Sequence, residues 1–278
     1  MVAADEITLT GIQAARERIR PYFRRTELIA SHTLSQRLGA HVYLKLEVFQ
    51  KTGSFKVRGA FNKLLTLPTG TRHNGVVAVS GGNHAQAVAY AAVKLGRRSV
   101  ILMPESTPGN YVDATRGYGA EVILTRDVHE AFARVADYES QGFVNVHPFD
   151  DPLVIAGAGT LGLEILEDLP QVTDVVVSIG GGGLMTGVAT ALKSQKPQIR
   201  LWGVETEGAD AMAQALAAGH IVRLPAITSA ARTLGAPAVT ELTLAMARKH
   251  LESVTVVSDA EAIAALKILL ERAKILTE

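Results

Sequence analysis

The stretch Gln50-Lys51-Thr52-Gly53-Ser54-Phe55-Lys56-Val57-Arg58-Gly59-Ala60 follows a predicted strand, Val42 to Val48, and opens a predicted helix that Ser54 is placed to cap. Lys56 would then stand in the first turn of that helix. The partial positive charge of a helix N-terminus disfavours an ammonium and lowers the cost of a neutral amine. A neutral, desolvated lysine is the nucleophile that Schiff-base chemistry with a carbonyl cofactor requires. Taken alone, the same residue reads more readily as a surface lysine on an amphipathic helix.

Two glycine-rich loops change that balance. Ser80-Gly81-Gly82-Asn83-His84-Ala85-Gln86 follows the β-branched run ending at Val79, and Ser178-Ile179-Gly180-Gly181-Gly182-Gly183-Leu184 follows Val175 to Val177. Each leads into an alanine-rich helical stretch. Strand, glycine loop and helix together aim backbone N–H groups and a helix dipole at an anion. Four consecutive glycines let the backbone close around a phosphate where a Cβ would intrude. Either loop alone reads as a tight turn between strand and helix; with Lys56, they imply two anionic groups flanking one reactive amine.

Three segments carry a resemblance to the fold type II pyridoxal-phosphate enzymes, in the serine/threonine dehydratase (threonine ammonia-lyase) and serine racemase branch: Lys45 to Ala60, Ser80 to Gln86, and Ser178 to Gly187. Weaker similarity runs from about Ile12 to Glu278, through Arg25-Thr26-Glu27-Leu28, His147-Pro148-Phe149-Asp150-Asp151-Pro152 and Gly203-Val204-Glu205. The resemblance implies an α/β, tryptophan synthase beta-like fold of two open parallel-sheet domains with pyridoxal 5′-phosphate in the cleft. Residues 1–72 and 150–278 would form the large cofactor-binding domain and 73–149 the small one carrying the substrate loop.

The resemblance also implies roles. Lys56 would hold the pyridoxal and later remove the substrate's Cα proton. Gly180, Gly181, Gly182 and Gly183 would cradle the phosphate at the start of the helix of Leu184. Asn83 matches the partner of the ring hydroxyl, and Phe55 the residue packed on the ring face, though it reads equally as a core aromatic. Thr52, Ser80, Gly81 and His84 would surround the substrate carboxylate, with Phe149 beside its side chain. Glu205 and Ala209 match two members of a Mg²⁺ or Ca²⁺ site; its third position is Ala211, with Asp210 one residue early.

Racemases of this branch carry a serine where this chain has Gly81, and glycine exchanges no proton. Racemisation is therefore disfavoured, and β-elimination of water from L-threonine or L-serine, giving a 2-oxo acid and ammonia, is the leading expectation. Serine racemisation and dehydration of 3-hydroxyaspartate remain as alternatives, the latter because Arg232 is a candidate partner for a second carboxylate. Family chains continue past the helix that ends here at Glu278 and add a Ser- or Thr-Gly-Gly-Asn-like turn that meets the pyridine nitrogen. A truncated, catalytically weak cofactor-binding protein is thus the alternative of another class.

Composition agrees. The 278 residues suffice for one large or two modest domains. Lysine and arginine number 28 against 27 acidic residues, so no electrostatic footprint for nucleic acid is present. The start, Met-Val-Ala-Ala-Asp-Glu, lacks a basic, apolar leader, and no uncharged apolar run approaches the roughly 18 residues of a membrane span. Absence of cysteine excludes disulfides and thiolate chemistry. A cytoplasmic homodimer acting on a small amino acid is expected. Elsewhere the pattern predicts helices at 11–20, 110–118 and 128–138, and strands at 99–103, 122–124 and 143–146, an alternation that argues for parallel sheet.

Overall fold

The computed structural model describes residues 7–68 and 73–277. The expected domain boundary at 72 and the leader-free start both lie outside the described residues. The first helix, α1 (Leu9–Ile19), begins where the Thr8 hydroxyl accepts the amide N–H of Gly11 at 3.0 Å, and it ends ahead of Pro21. Strand β1 (Leu28–Ala30), helix α2 (His32–Leu38) and strand β2 (Tyr43–Lys45) follow, β1 and β2 pairing antiparallel.

The strand expected over 42–48 is shorter. The chain leaves the ladder at Leu46 and turns through a 3₁₀ segment, Glu47–Phe49, because the Glu47 carboxylate is drawn inward to Arg58 and Thr26. Helix α3 (Lys56–Thr66) then starts at Lys56 itself. Ser54 does not cap it: the N-cap is Phe55, without a side-chain bond, and Ser54 is buried with its hydroxyl unpartnered among the described residues.

From Gly75 to Asn145 strands and helices alternate: β3 (Gly75–Val79), α4 (Asn83–Lys94), β4 (Ser99–Pro104), α5 (Gly109–Gly117), β5 (Glu121–Thr125), α6 (Val128–Ser140) and β6 (Phe143–Asn145). The four strands form a parallel sheet in the order β5-β4-β3-β6. Strand β3 is central and wholly buried, so its side chains divide by parity. Val76 and Ala78 join a core with Val57, Phe61 and Leu64 of α3 and Ala85 and Val88 of α4, while Val77 and Val79 face Ala131 and Val135 of α6.

The long helix α7 (Pro152–Asp168) is capped by Asp151, whose Oδ1 accepts from the N–H of Leu153 at 2.8 Å and of Val154 at 3.2 Å, with proline in the first turn. Every residue from Val154 to Glu164 is buried, the signature of a helix enclosed on all sides. It lies between α3 and α8 (Gly183–Lys193). Strands β7 (Asp174–Ser178), β8 (Arg200–Thr206) and β9 (Leu251–Val257) make a second parallel sheet in that order. Helices α9 (Ala211–Ala218), α10 (Glu241–His250) and α11 (Asp259–Ile268) complete the chain, and α8, α9 and α10 share a core with β7 and β8. The architecture is α/β with parallel sheets, as the alternation implied. No helix among the described residues is long and apolar enough to cross a membrane.

Candidate active site

Lys56 is delivered by an abrupt turn. Thr52 (φ 61°) and Gly53 (φ 72°) both take left-handed backbone, reversing the chain into α3. The half-buried Lys56 donates from Nζ to the carbonyl oxygen of Pro148 at 2.9 Å, and Nζ stands 5.2 Å from the Phe55 ring centre. Desolvation pushes its ammonium down to about 8. The amine is therefore available in neutral form near physiological pH, for a reason stronger than the helix dipole invoked from sequence.

Pro148 belongs to the turn after β6. His147 fixes that turn, its Nδ1 accepting the amide N–H of Asp150 at 2.8 Å while its ring meets that of Phe149 edge-on at 4.8 Å. The Phe149 ring lies on the glycine loop: a Cβ built at Gly181 would fall 2.2 Å from its Cγ, and one at Gly183 3.0 Å from its Cα. A Cβ at Gly180 would fall 1.9 Å from the carbonyl oxygen of Leu234, and Gly182, at φ 89°, would press on Thr243 at 2.7 Å. Each glycine is thus required, three by close approach and Gly182 by conformation as well. Gly182 is the N-cap of α8; Leu184 and Phe55 pack against the same core.

The other loop runs from β3 into α4. Ser80 Oγ accepts the amide N–H of Gly82 at 3.1 Å, and Asn83 opens α4. His84 is buried, and its Nε2 lies 2.8 Å from the carbonyl oxygen of Val146. A carbonyl only accepts, so Nε2 carries the proton and Nδ1 is left as an acceptor, buried and unpartnered among the described residues. Desolvation first, then the charge on Lys56, pushes the imidazolium down to about 3. His84 is consequently a neutral hydrogen-bonding group and no acid near neutral pH.

Sequence reasoning passed over three neighbours of these loops. A Cβ at Gly81 would lie 2.6 Å from Thr107 Oγ1, one at Gly82 3.3 Å from Thr233 Cγ2, and Leu234 sits on Gly180. The segment Thr233-Leu234 therefore bridges the two glycine loops. None of these contacts has a local sequence signal. Arg232, beside them, is exposed.

At the expected cation site the side chains are engaged in hydrogen bonds within the protein. Glu205 is buried, and its two carboxylate oxygens accept the amide N–H groups of Met212 (3.0 Å) and Ala213 (2.8 Å) in the first turn of α9. Asp210 accepts from the Gln214 side chain at 3.1 Å, and Ala209 is buried with its amide bonded to Thr206. Glu205 thus caps the first turn of α9 with both of its carboxylate oxygens. Among the described residues no group of three or more His, Asp or Glu side chains could hold a metal. Burial raises the Glu205 carboxyl to about 7.

A family model described as pyridoxal-phosphate dependent enzyme matches residues 19–278. An L-threonine ammonia-lyase of Geobacter sulfurreducens is 46% identical over 97% of this chain and 67% of its own length. The catabolic L-threonine dehydratase TdcB of Staphylococcus aureus is 41% identical over 99% of this chain and 80% of its own. Among solved structures, maize serine racemase superposes with a TM-score of 0.94 at 37% identity, covering 98% of this chain and 83% of that one. The processed form of threonine deaminase isoform 2 from Solanum lycopersicum gives 0.92 at 34%, covering 100% and 77%. Agreement of this extent, in sequence and in backbone, means that the chain belongs to the pyridoxal-phosphate dependent enzyme family, in the serine/threonine dehydratase branch of its fold type II.

Proposed function

We propose that this protein is an ammonia-lyase that uses pyridoxal 5′-phosphate to convert L-threonine, and L-serine, to the 2-oxo acid and ammonia. The observation that carries the reading is the Lys56 amine, lowered to about 8 by burial and held at Pro148 O beside a loop with no room for any side chain. Relatives named for threonine deamination or dehydration, at 41% to 46% identity, support the substrate.

The residues present fit the cofactor. The glycine loop ends as the N-terminus of α8, where amides and helix dipole favour a phosphate. Thr52 Oγ1, Ser54 Oγ and His84 Nδ1 are buried polar atoms without partners among the described residues, grouped in sequence about Lys56 and the substrate loop. Such atoms cost about 1–3 kcal/mol each when left unsatisfied, so they favour a polar occupant. When bound, pyridoxal phosphate supplies an aldehyde and an electron-withdrawing ring that stabilises negative charge at the substrate's Cα.

Lys56 Nζ would hold that aldehyde, and as a free amine would be the base that takes the substrate's Cα proton. The leaving β-hydroxyl needs one proton to depart as water, and the Lys56 ammonium so formed can return it. Ser80, Gly81 and Thr52 would orient the substrate carboxylate; the Nδ1 lone pair of neutral His84 suits an N–H or O–H donor, so the expected His84 contact with the carboxylate is replaced by one with a donor group. Asn83 and Phe55 orient the ring. Lys56, close to its titration point, accepts a proton without a large penalty in either direction.

The domain division at 72/73 and 149/150, a homodimer and a cytoplasmic location belong to the same proposal. The four-stranded sheet over 75–145 and the three-stranded sheet over 174–257 support the division. Incubating the purified protein with pyridoxal phosphate and L-threonine tests the function. Formation of 2-oxobutanoate and ammonia in equal amounts is expected; cofactor uptake without turnover would overturn it in favour of a binding protein.

A further inference from the structure

Helix α7 makes its closest backbone approaches to both halves of the proposed site at glycines. Towards α3, a Cβ on Gly59 would fall 2.7 Å from Val154 O, and one on Gly157 2.5 Å from Arg58 O and 2.7 Å from Gly59 Cα. Towards α8, a Cβ on Gly187 would fall 2.4 Å from Ile155 O and 2.6 Å from Gly159 N, and one on Gly159 2.8 Å from Gly187 O. One turn on, a Cβ on Gly162 would fall 2.7 Å from Ala191 Cβ. None of the five has positive φ, so space and not backbone conformation demands glycine. In a helix interior each costs roughly 1 kcal/mol relative to alanine, and α7 alone carries three. The gain that offsets this is backbone-on-backbone contact, which leaves no soft side chain to take up a shift.

The contacts stand close to the functional ends. Gly59 lies three residues, about one turn, after Lys56, and Gly187 four residues after Gly183. Arg58 ties the same seam by donating to Glu164 Oε1 at 2.6 Å and Thr160 Oγ1 at 3.0 Å, both on α7. We infer that α7 is a rigid spacer that sets the distance from the Lys56 amine to the Gly180–Gly183 amides, with Gly59, Gly157, Gly159, Gly162 and Gly187 as positioning residues. This rests on the reading that Lys56 takes the cofactor's aldehyde and the glycine loop its phosphate. Aldehyde and phosphate are the two ends of one small, stiff molecule, so the separation of their holders has to match it.

The test compares the dissociation constants of pyridoxal 5′-phosphate and of pyridoxal for the full chain, followed by the absorbance of the bound species. Both ligands offer Lys56 an aldehyde; only one offers a phosphate, so the ratio of constants isolates spacing. Gly187→Ala should lower the preference for the phosphorylated ligand by about tenfold or more while pyridoxal affinity stays within about threefold of wild type. Gly162→Ala, which meets only a methyl group at under 3 Å, should act in the same direction more weakly. The pair Gly162→Ala with Ala191→Gly, which removes the opposing methyl, should restore the ratio. An unchanged ratio in folded variants overturns the inference, as does equal weakening of both ligands, which would mean general loosening. If Gly187→Ala does not fold, Gly162→Ala and its double variant decide. A wild type that binds both ligands equally, or covalent uptake that survives Lys56→Ala, would instead remove the underlying assignment of the site.

Discussion

The Lys56 amine donates to the carbonyl oxygen of Pro148, 92 residues away in sequence, at 2.9 Å. The bond joins the start of α3 to the turn that also lays Phe149 on the glycine loop. Three segments thereby share one geometry: the lysine, the turn after β6 and the loop before α8. A hydrogen bond to a neutral carbonyl holds the amine without adding the charge that a carboxylate partner would bring. Burial therefore sets its acidity unopposed.

The first prediction follows from that acidity. Covalent uptake of pyridoxal phosphate needs the neutral amine, so its rate should rise with pH and level off above about pH 8. An ordinary lysine would keep gaining to about pH 10.4. Stopped-flow absorbance across pH 6 to 10 measures the profile, and Lys56→Ala should show no uptake at any pH. A rate still climbing steeply above pH 9 would contradict the buried, lowered amine.

Arg58 is fully buried, and its guanidinium donates to both oxygens of Glu47 at 2.8 Å, to both oxygens of Glu164 at 2.6 and 3.0 Å, and to Thr160 at 3.0 Å. Every N–H it has is used. Arg58→Leu would leave the buried Glu164 and half-buried Glu47 carboxylates unpaired, with Lys45 as the remaining cation at 2.7 Å from Glu164. The expected loss is about 3–5 kcal/mol in urea unfolding. Arg58→Lys should recover only part of it, because a point charge does not engage two carboxylates in a planar fork. Full recovery by lysine would mean that charge alone matters there.

His84 gives a stability prediction with a definite sign. Its imidazole is held at about 3 in the folded chain against 6.5 for an ordinary histidine. Between those values the unfolded chain takes up a proton that the folded chain refuses, so stability falls as pH falls through that window. The contribution reaches up to about 5 kcal/mol at the acid end. His84→Gln keeps a donor for Val146 O and does not titrate. Urea midpoints from pH 7 to 4 should decline more steeply in wild type than in the variant; parallel curves would mean that His84 protonates in the native state.

The glycine loops and the lysine were legible because their chemistry is local: a few consecutive residues specify a turn and the groups it exposes. So were α5, α6 and β5, whose observed bounds fall within two residues of the pattern. Arg58 was not, since one arginine on a helix reads as solvated until Glu47 and Glu164 are brought to it from distant segments. Ser54 failed differently. The serine-before-helix pattern suited a cap, but the left-handed pair Thr52-Gly53 turns the chain so that Phe55 is the N-cap and the helix starts one residue later. The burial of α7 was hidden by its glycines, which read as breakers in sequence and act as close contacts in the fold.

Glu205 gives a prediction that also tests the expected cation site. Its carboxyl is raised to about 7 from an ordinary 4.5, so between those values the folded chain holds a proton the unfolded chain has released. Stability from this group is complete below pH 4.5 and is lost as pH rises through 7, by up to about 3 kcal/mol. The slope opposes that of His84 where the windows overlap, so each is read against its own variant. Glu205→Gln should remove it. Millimolar Mg²⁺ or Ca²⁺ should leave the Tm unchanged at pH 8; a rise that Glu205→Gln abolishes would restore the cation site.

The last prediction concerns the hydroxyl that faces Gly81. A side chain at 81 would place its Cβ 2.6 Å from Thr107 Oγ1 and 3.4 Å from Thr107 Cγ2, but 3.6 Å from Thr107 Cβ. Only the outer atoms of Thr107 are in the way, and Thr107→Ala removes both. A serine at 81 is what the racemases of this branch carry, and it would give this chain a proton-exchanging group that glycine lacks. Wild type should therefore give mostly the 2-oxo acid from L-serine. Gly81→Ser alone should raise D-serine modestly, because the new side chain forces Thr107 to rotate or the loop to shift. Gly81→Ser with Thr107→Ala should raise it further relative to pyruvate. Chiral chromatography beside a pyruvate assay measures the ratio. Substantial D-serine from wild type would show that glycine at 81 does not block racemisation, and equal ratios in single and double variants would show that Thr107 is no obstacle.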